Sequence, residues 1–444
     1  MVNLFSIISV TIIFIIIMIV FSSEKIDYLV IALLGAIIAA LILINTKDSP
    51  VNLDLNTFIG MIEWRPLIFI LGMQIIISIA EQKKIFHYIA VKSIQVTKGN
   101  DRMLFYVIII ISTLSAAVVA DVTVSIIFAP LLIRTCKILE IESAPYLFGM
   151  TICINIGSLI TPFSSSENIM IAGHFNAYPE YNVDVKWFAL NIMLFGFILL
   201  FVTLITLDYL MLKKNERANR VRVELVREIL LPSMVLDNKK AFNKNLILLV
   251  VIFTAFFFTT EAYLVALIGA IVMVLANKEK MEHYFRHIEW NVIFFFASLY
   301  IIIGVMVENG TIQIINDFLN TILPDNVLVI SIIFLVFSSI ISGFLANSPT
   351  ALIFMAIADA MIAANPIIAA NPNILIMALL IGINLGGNFL PQGAACDVMT
   401  LTIATKNKVK GFTFKTLTKW GALFALIHMI FGIFYLIVYY FLVF

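Results

Sequence analysis

The sequence predicts an all-α polytopic membrane protein of two inverted-topology repeats, each with five transmembrane spans (one of them broken) plus a re-entrant hairpin. Three observations predict it: long charge-free apolar windows, motifs that recur in the same order in both halves, and a lopsided distribution of lysine and arginine.

The windows set the class. Of 444 residues, 62% are hydrophobic and 12% charged, too few charges to cover a soluble protein of this length. Leu4–Phe21, Tyr28–Thr46, Met103–Ala120, Trp187–Leu207 and Ala422–Phe444 each run for about 18 residues or more without a charge, enough to cross the hydrocarbon core. Leu246–Ala276 is interrupted only by Glu261. Lipid offers backbone polar groups no partner, so only helices or a closed barrel can span it, and these runs are too continuous for alternating barrel strands. A net charge of +1 gives no hint of nucleic acid, and Cys136, Cys153 and Cys396 are too scattered for a disulfide framework. The first window lacks a basic flank and a small-residue cleavage site, so it reads as a retained helix.

Self-similarity sets the organisation. Tyr28-Leu-Val-Ile-Ala-Leu-Leu-Gly-Ala-Ile37 returns, one residue shorter, as Tyr263-Leu-Val-Ala-Leu-Ile-Gly-Ala-Ile271. Ile62-Glu63-Trp64 returns as Ile288-Glu289-Trp290. Asn155-x-Gly157-x4-Pro162-x5-Asn168 matches Asn384-x-Gly386-x4-Pro391-x5-Asp397 without a gap. The chain therefore divides into a first repeat (1–212), a cytoplasmic linker (213–243) with a short amphipathic helix around Arg220–Leu231, and a second repeat (244–444).

Positive charge orients the copies. Lysine and arginine crowd 83–102, 134–137, 213–244, 278–286 and 406–419, whereas 47–63, 176–186 and 308–325 lean acidic. With the basic set cytoplasmic, Ile62 lies outside and Ile288 inside, so the copies are oppositely oriented and both termini are outside. Residues 103–134 are basic at both ends, which predicts a hairpin that enters and leaves on the cytoplasmic side, with its tip near Ala120–Thr123. The counterpart, 327–364, has its tip near Ala346–Thr350.

Polar residues at membrane depth need a reason. A carboxylate at the bilayer centre costs about 2.5–3.5 kcal/mol, so Asp121, Glu167 and Asp397 together would cost on the order of 8–10 kcal/mol if unpaired. They are protonated, wet, or neutralised by a bound cation, and each alternative marks a site. Pro162 removes an amide donor and Ser164, Ser165, Ser166, Glu167 and Asn168 follow, so the helix breaks there. The second copy supplies Asn347, Ser348 and Thr350 at its tip and Asn388, Gly393 and Asp397 at its break. Two tips facing two breaks, with Thr123 beside Asp121, form the layout of an alternating-access substrate site, and Na+ would sit near Asp121, Asn168 and Asn347. Ser112, Ser158 and Ser338 are expected to bond their own backbones. Asp359 is expected to be solvated, as are His283 and His287 in their charged loop. Cys153 and Cys396 are expected to be small core residues.

These residues resemble a family. Leu114-Ser-Ala-Ala-Val-Val-Ala-Asp-Val-Thr, Asn155-Ile-Gly, Ser-Glu-Asn168-Ile-Met-Ile, Ile288-Glu-Trp-Asn-Val-Ile and Asn384-Leu-Gly-Gly-Asn388 are similar to the arsenite permease / sodium–proton antiporter branch of the ion transporter superfamily. That branch is related to the sodium-coupled dicarboxylate and citrate transporters and to the melanosomal P protein. The resemblance implies paired sites at the hairpin tips and breaks. The family's Asp-Asn pair at each tip falls here on Ala120-Asp121 and Ala346-Asn347, and its Gly-Asp-Pro-Pro-Asn on Ser164–Asn168, where only Asn168 carries over. Asp121 and Glu167 would then do the coupling from shifted positions.

The expected function is a secondary active transporter of a small anion or metalloid oxyacid, coupled to H+ or Na+ by alternating access, with a passive channel or facilitator as the alternative. No cofactor is implied beyond the coupling ion. The expected partners are the lipid bilayer and a small-molecule or ion substrate, with a homodimer compatible. No His-Glu-x-x-His, facing aspartate pair or nucleophile–base pair suggests an enzyme.

Overall fold

Apolar runs become helices wherever nothing interrupts them, and the interruptions here are the polar tips and breaks. The computed structural model describes residues 3–23, 27–46, 54–98, 100–176, 181–212, 235–236, 238–322 and 326–443. The helix expected around Arg220–Leu231 lies outside the described residues. The first half contains α1 (Leu4–Ser23), α2 (Tyr28–Thr46), α3 (Leu55–Gly60), α4 (Trp64–Gln82), α5 (Ile85–Val96), α6 (Asp101–Ala116), α7 (Asp121–Leu139), α8 (Ala144–Ile160) and α9 (Ser166–Phe175). It ends with α10 (Val185–Phe188), which passes through a π turn at Ala189–Met193 into α11 (Leu194–Met211).

The second half follows the same order. It comprises α12 (Lys239–Ala255), α13 (Ala262–Asn277), α14 (Met281–Phe285), α15 (Trp290–Glu308), α16 (Thr311–Ile322), α17 (Val327–Leu345), α18 (Asn347–Ala364), α19 (Pro366–Ala370), α20 (Asn373–Gly386), α21 (Ala395–Lys406) and α22 (Phe414–Val443). Among the described residues, nine helical stretches are long and apolar enough to cross a membrane. They include the hairpin arms α7, α17 and α18, while α8 and α20 are shorter because they stop at the breaks. Large side chains such as Leu190, Phe201 and Phe258 are exposed on the outside of the bundle, as a lipid-facing surface requires. The chain is an all-helical, multi-pass membrane protein.

Packing crosses between the halves reciprocally. Helix α4 lies along α13, and its counterpart α15 lies along α2. Hairpin arm α7 packs on α21, and α18 packs on α9. Within each half the outer hairpin arm packs on the helix that leads to the break, α6 on α8 and α17 on α20.

The repeated glycine of the Asn-x-Gly motif explains the closeness of that last contact. A Cβ on Gly157 would lie 2.3 Å from the Thr113 carbonyl oxygen, and one on Gly386 would lie 2.3 Å from the Ser339 carbonyl oxygen. Backbone meets backbone at both places, as small residues permit in membrane helices. Gly157→Val and Gly386→Val should each destabilise by at least about 1–3 kcal/mol through overpacking. The readout is a lower melting temperature of the detergent-purified protein. Unchanged melting in both variants would show that the hairpin arms yield freely.

The segment 83–102, basic in sequence, contains a feature that hydropathy does not reveal: the short helix α5, whose counterpart is α16. Thr311, Ile312 and Asn316 are buried on α16, while Gln313, Asp317 and Phe318 face outward. At the end of α4, Lys83 pairs with Glu279 at 2.8 Å, and Tyr284 also donates to that carboxylate. Burial alone would raise the Glu279 carboxyl, but these bonds outweigh it and hold it below the usual glutamate range.

Candidate functional site

Each break has a local cause. Helix α8 ends at Thr161 in an extended conformation, and Pro162 cannot continue the amide ladder. Ser165, also extended, caps α9 by accepting from the Asn168 N–H. The second break passes through a 3-10 turn at Gly387–Phe389, then a turn in which the Gly393 N–H donates to the Leu390 carbonyl, before α21 begins. Tip two is a single residue: Ala346 links α17 directly to α18 with φ 72° and ψ 153°, a conformation that disfavours a side chain.

Helices α7, α9, α18 and α21 therefore all begin at the tips and breaks, and the contacts bring these beginnings together. Asn347 donates to Glu167 Oε1 at 3.0 Å and Ser348 donates to Glu167 Oε2 at 3.3 Å, joining α18 to α9. Asp121, the first residue of α7, faces Cys396 at the start of α21 and is close enough to Glu167 and Asp397 for their charges to interact. Thr151 donates to Asp397 at 2.5 Å. Asn384 donates to Asn168 Oδ1 at 2.7 Å, Asn155 to Asn388 Oδ1 at 2.8 Å, and the Cys396 thiol to Asn155 Oδ1 at 3.1 Å. Each of these hydrogen bonds joins a residue of the first half to one of the second.

The electrostatics follow from the helix ends. A helix N-terminus carries roughly +0.5 charge, so four give about +2. Asp121, Glu167 and Asp397 stand in the first turns of three of them, contributing −3 when ionised. Among the described residues, no lysine or arginine is paired with any of the three. The sum is near −1 when all three are ionised, a field that attracts a proton or small cation.

The remaining predicted residues divide. The Ser164 hydroxyl lies against the Ser158 and Thr161 carbonyls, which Asn168 Nδ2 also engages, so these two carbonyls at the end of α8 are occupied by the protein itself. Thr350 donates to the Ala346 carbonyl at 2.8 Å. Ser166 is half-buried at the start of α9. Ser112, Ser158 and Ser338 do bond the backbones of their own helices, and Cys153 and Cys396 are buried. The Asn388 Nδ2 and Asn384 Oδ1 atoms are buried without a partner, leaving polar valences open at the cluster.

Sequence reasoning missed several neighbours. Thr123 lies within hydrogen-bonding reach of Glu81 on α4, and Glu289, at the start of α15, is close enough to Asp121 to repel it. Thr151 had no signal, because one threonine in an apolar helix is usually bonded to its own backbone. Asp359 corrects an expectation: it is bonded to His174 Nε2 at 2.7 Å, not simply solvated. It sits one to two helical turns before the end of α18, within reach of the end of α9.

Comparison with known proteins agrees with this architecture. The chain is 26% identical over 412 residues to the 46 kDa membrane protein of Mycobacterium leprae, covering 90% of this chain and 91% of that one. It is 24% identical to the P protein of Sus scrofa, covering 92% of this chain and 56% of that protein. Its fold is similar to that of the Alcanivorax borkumensis YdaH transporter, with a TM-score of 0.60 at 12% identity over 93% of this chain and 97% of that one. Residues 13–382 match the citrate transporter family, CitMHS. With most of its length matched, from α1 through the helix that leads into the second break, the chain belongs to the citrate transporter family of membrane transporters.

Proposed function

We propose that this protein is a secondary active transporter of a small carboxylate anion, coupled to H+ or Na+, in which 1–212 and 244–444 act as inverted repeats joined by 213–243. The observation that carries the reading is the meeting of four helix N-termini with three carboxylates and, among the described residues, no paired lysine or arginine. The helix ends attract an anion, and the carboxylates repel it until a proton or cation arrives. Anion and coupling ion are therefore favoured together, which is the condition for coupled transport. Na+ would lie near Asp121, with the Asn168 and Asn347 side chains close by. One coupled charge is worth about 2.3 kcal/mol per 100 mV, or roughly fortyfold accumulation.

The family's name makes citrate the first substrate to test, and favours an organic anion over a metalloid oxyacid. Proteoliposomes containing the purified protein should concentrate labelled citrate when a Na+ or pH gradient is imposed, and should lose that accumulation when the gradient is collapsed. Equilibration at the same rate with and without either gradient would overturn coupling and establish a passive facilitator.

A further inference from the structure

His174, near the end of α9, is held between two carboxylates from distant parts of the chain. Its Nδ1 is 2.5 Å from Glu63 Oε1 at the α3–α4 corner, and its Nε2 is 2.7 Å from Asp359 Oδ2 on α18. A neutral imidazole has one N–H and one bare lone pair, so it can donate to only one of them. Two short contacts to acceptor oxygens require both ring nitrogens to be donors, or one carboxyl to carry the proton. Either way the triad in this conformation holds one proton more than a neutral histidine with two carboxylates.

The surroundings leave this proton decisive. On α4, Arg65 pairs with Glu261 at 3.7 Å and lies over the Tyr263 ring. Asp184, ahead of α10, caps the Trp187 N–H. Tyr300 on α15 is buried near Glu63 but carries no charge in the ordinary pH range. Asp359 is the sole charged residue on α18. The His174 side chain is 12% exposed, and a small cavity of about 50 Å³, lined by Arg65, Pro66, Pro162, Glu261 and the neighbouring Gly173, lies close by.

The triad is also one-sided. Repeat symmetry pairs Glu63 with Glu289, but the positions matching His174 and Asp359 are Ile403 and Ile133. The matching positions therefore lack the imidazole and the second carboxylate that such a proton bridge needs. Helices α9 and α18 run parallel, touching at their starts through Glu167 with Asn347 and at their ends through His174 with Asp359. The first contact belongs to the candidate substrate site, and the second joins the same two helices about two turns further along α9 and about three further along α18.

We propose that Glu63, His174 and Asp359 form a proton-operated latch that holds α9 and α18 to the α3–α4 corner, shutting the acidic-loop side of the transporter while the proton is bound. Loss of the proton leaves a lone pair facing a carboxylate and two like charges near each other, and the latch opens. The inference rests on the alternating-access reading above, but its test needs no substrate. Spin labels at introduced cysteines replacing Leu55, at the start of α3, and Ala364, at the end of α18, report the distance across the latch by double electron–electron resonance. Both positions are exposed. The full chain is reconstituted in lipid and scanned across about pH 5–11, a range that starts below free imidazole at about 6.5 and extends upward to cover an imidazolium stabilised by two carboxylates.

The wild-type distance should be single and short at low pH, with a longer population growing as pH rises. His174→Gln should show the longer population throughout, and His174→Lys, permanently charged over most of the range, the short one. Glu63→Gln and Asp359→Asn should move the half-point to lower pH by about 1–3 units, because each removes a charge that stabilises imidazolium. Should His174→Gln not fold, the two carboxylate variants decide alone. A wild-type distance that ignores pH, or an unmoved half-point in both carboxylate variants, would overturn the latch. Absent citrate uptake with a pH-dependent distance would instead remove the carboxylate-transport reading and leave the latch standing.

Discussion

Asp121→Asn is expected to reduce gradient-driven uptake about 100-fold or more while leaving the protein folded. Asp121 opens α7 and meets Cys396, with Glu167, Asp397 and Glu289 close enough to feel its charge. Its role in the proposed cycle is to be negative when the coupling ion arrives. Removing one member of a buried charge pair costs about 3–5 kcal/mol, a factor of roughly 100 to 4,000 in occupancy. Asparagine is nearly isosteric and suits a helix N-terminus, so the hairpin tip should keep its shape. The comparison is initial uptake in proteoliposomes under Na+ or pH gradients, alongside melting temperature in detergent. A variant that melts as wild type but loses gradient dependence assigns the charge to coupling. One that keeps the full gradient dependence removes Asp121 from that role, leaving Glu167 and Asp397.

The features readable in sequence were those set by local chemistry. Charge-free runs, the break at Pro162 and the tips at Asp121 and Ala346 depend on residues a few positions apart, and helices end or begin there. The repeated Asn-x-Gly motif was visible as a pattern, but its reason was not: Gly157 and Gly386 admit the backbone of a hairpin arm. Across the site, legibility fell with sequence separation. Glu167 and Asn347 could each be singled out as polar residues in apolar surroundings, whereas their hydrogen bond spans 180 positions and depends on how the halves dock. Asp359 was misread for the same reason. It lies near a helix end, where solvation is the ordinary fate of an aspartate, and only the fold brings His174 to it across 185 positions. The helices α5 and α16 were hidden because their polar faces make them look like loops to a scale built for spans.

The Glu167–Asn347 contact offers the second large effect, because it separates a clamp from a charge. Glu167→Ala leaves Asn347 Nδ2 and Ser348 Oγ without their acceptor and should destabilise by about 1–3 kcal/mol as well as impair uptake. Glu167→Gln keeps an acceptor for Asn347, so it should melt nearly as wild type yet lose gradient-driven uptake. Asn347→Asp is the more demanding variant. Ser342 still donates to one oxygen of residue 347, so the new carboxylate oxygen takes the place of Nδ2 and faces Glu167 across 3.0 Å. Two unit charges that close repel by about 5 kcal/mol at an effective dielectric of about 20, so the pair must share a proton. Uptake by Asn347→Asp should therefore fall about 100-fold at neutral pH and recover as pH is lowered. Combining Asn347→Asp with Glu167→Gln restores one negative charge and one hydrogen bond with donor and acceptor exchanged, and should return most of the neutral-pH activity. Rescue by the double variant would show that the contact needs one charge on either helix. A double variant as inactive as the worse single one would show that the charge must sit on α9, and that the helices are not interchangeable as its carrier.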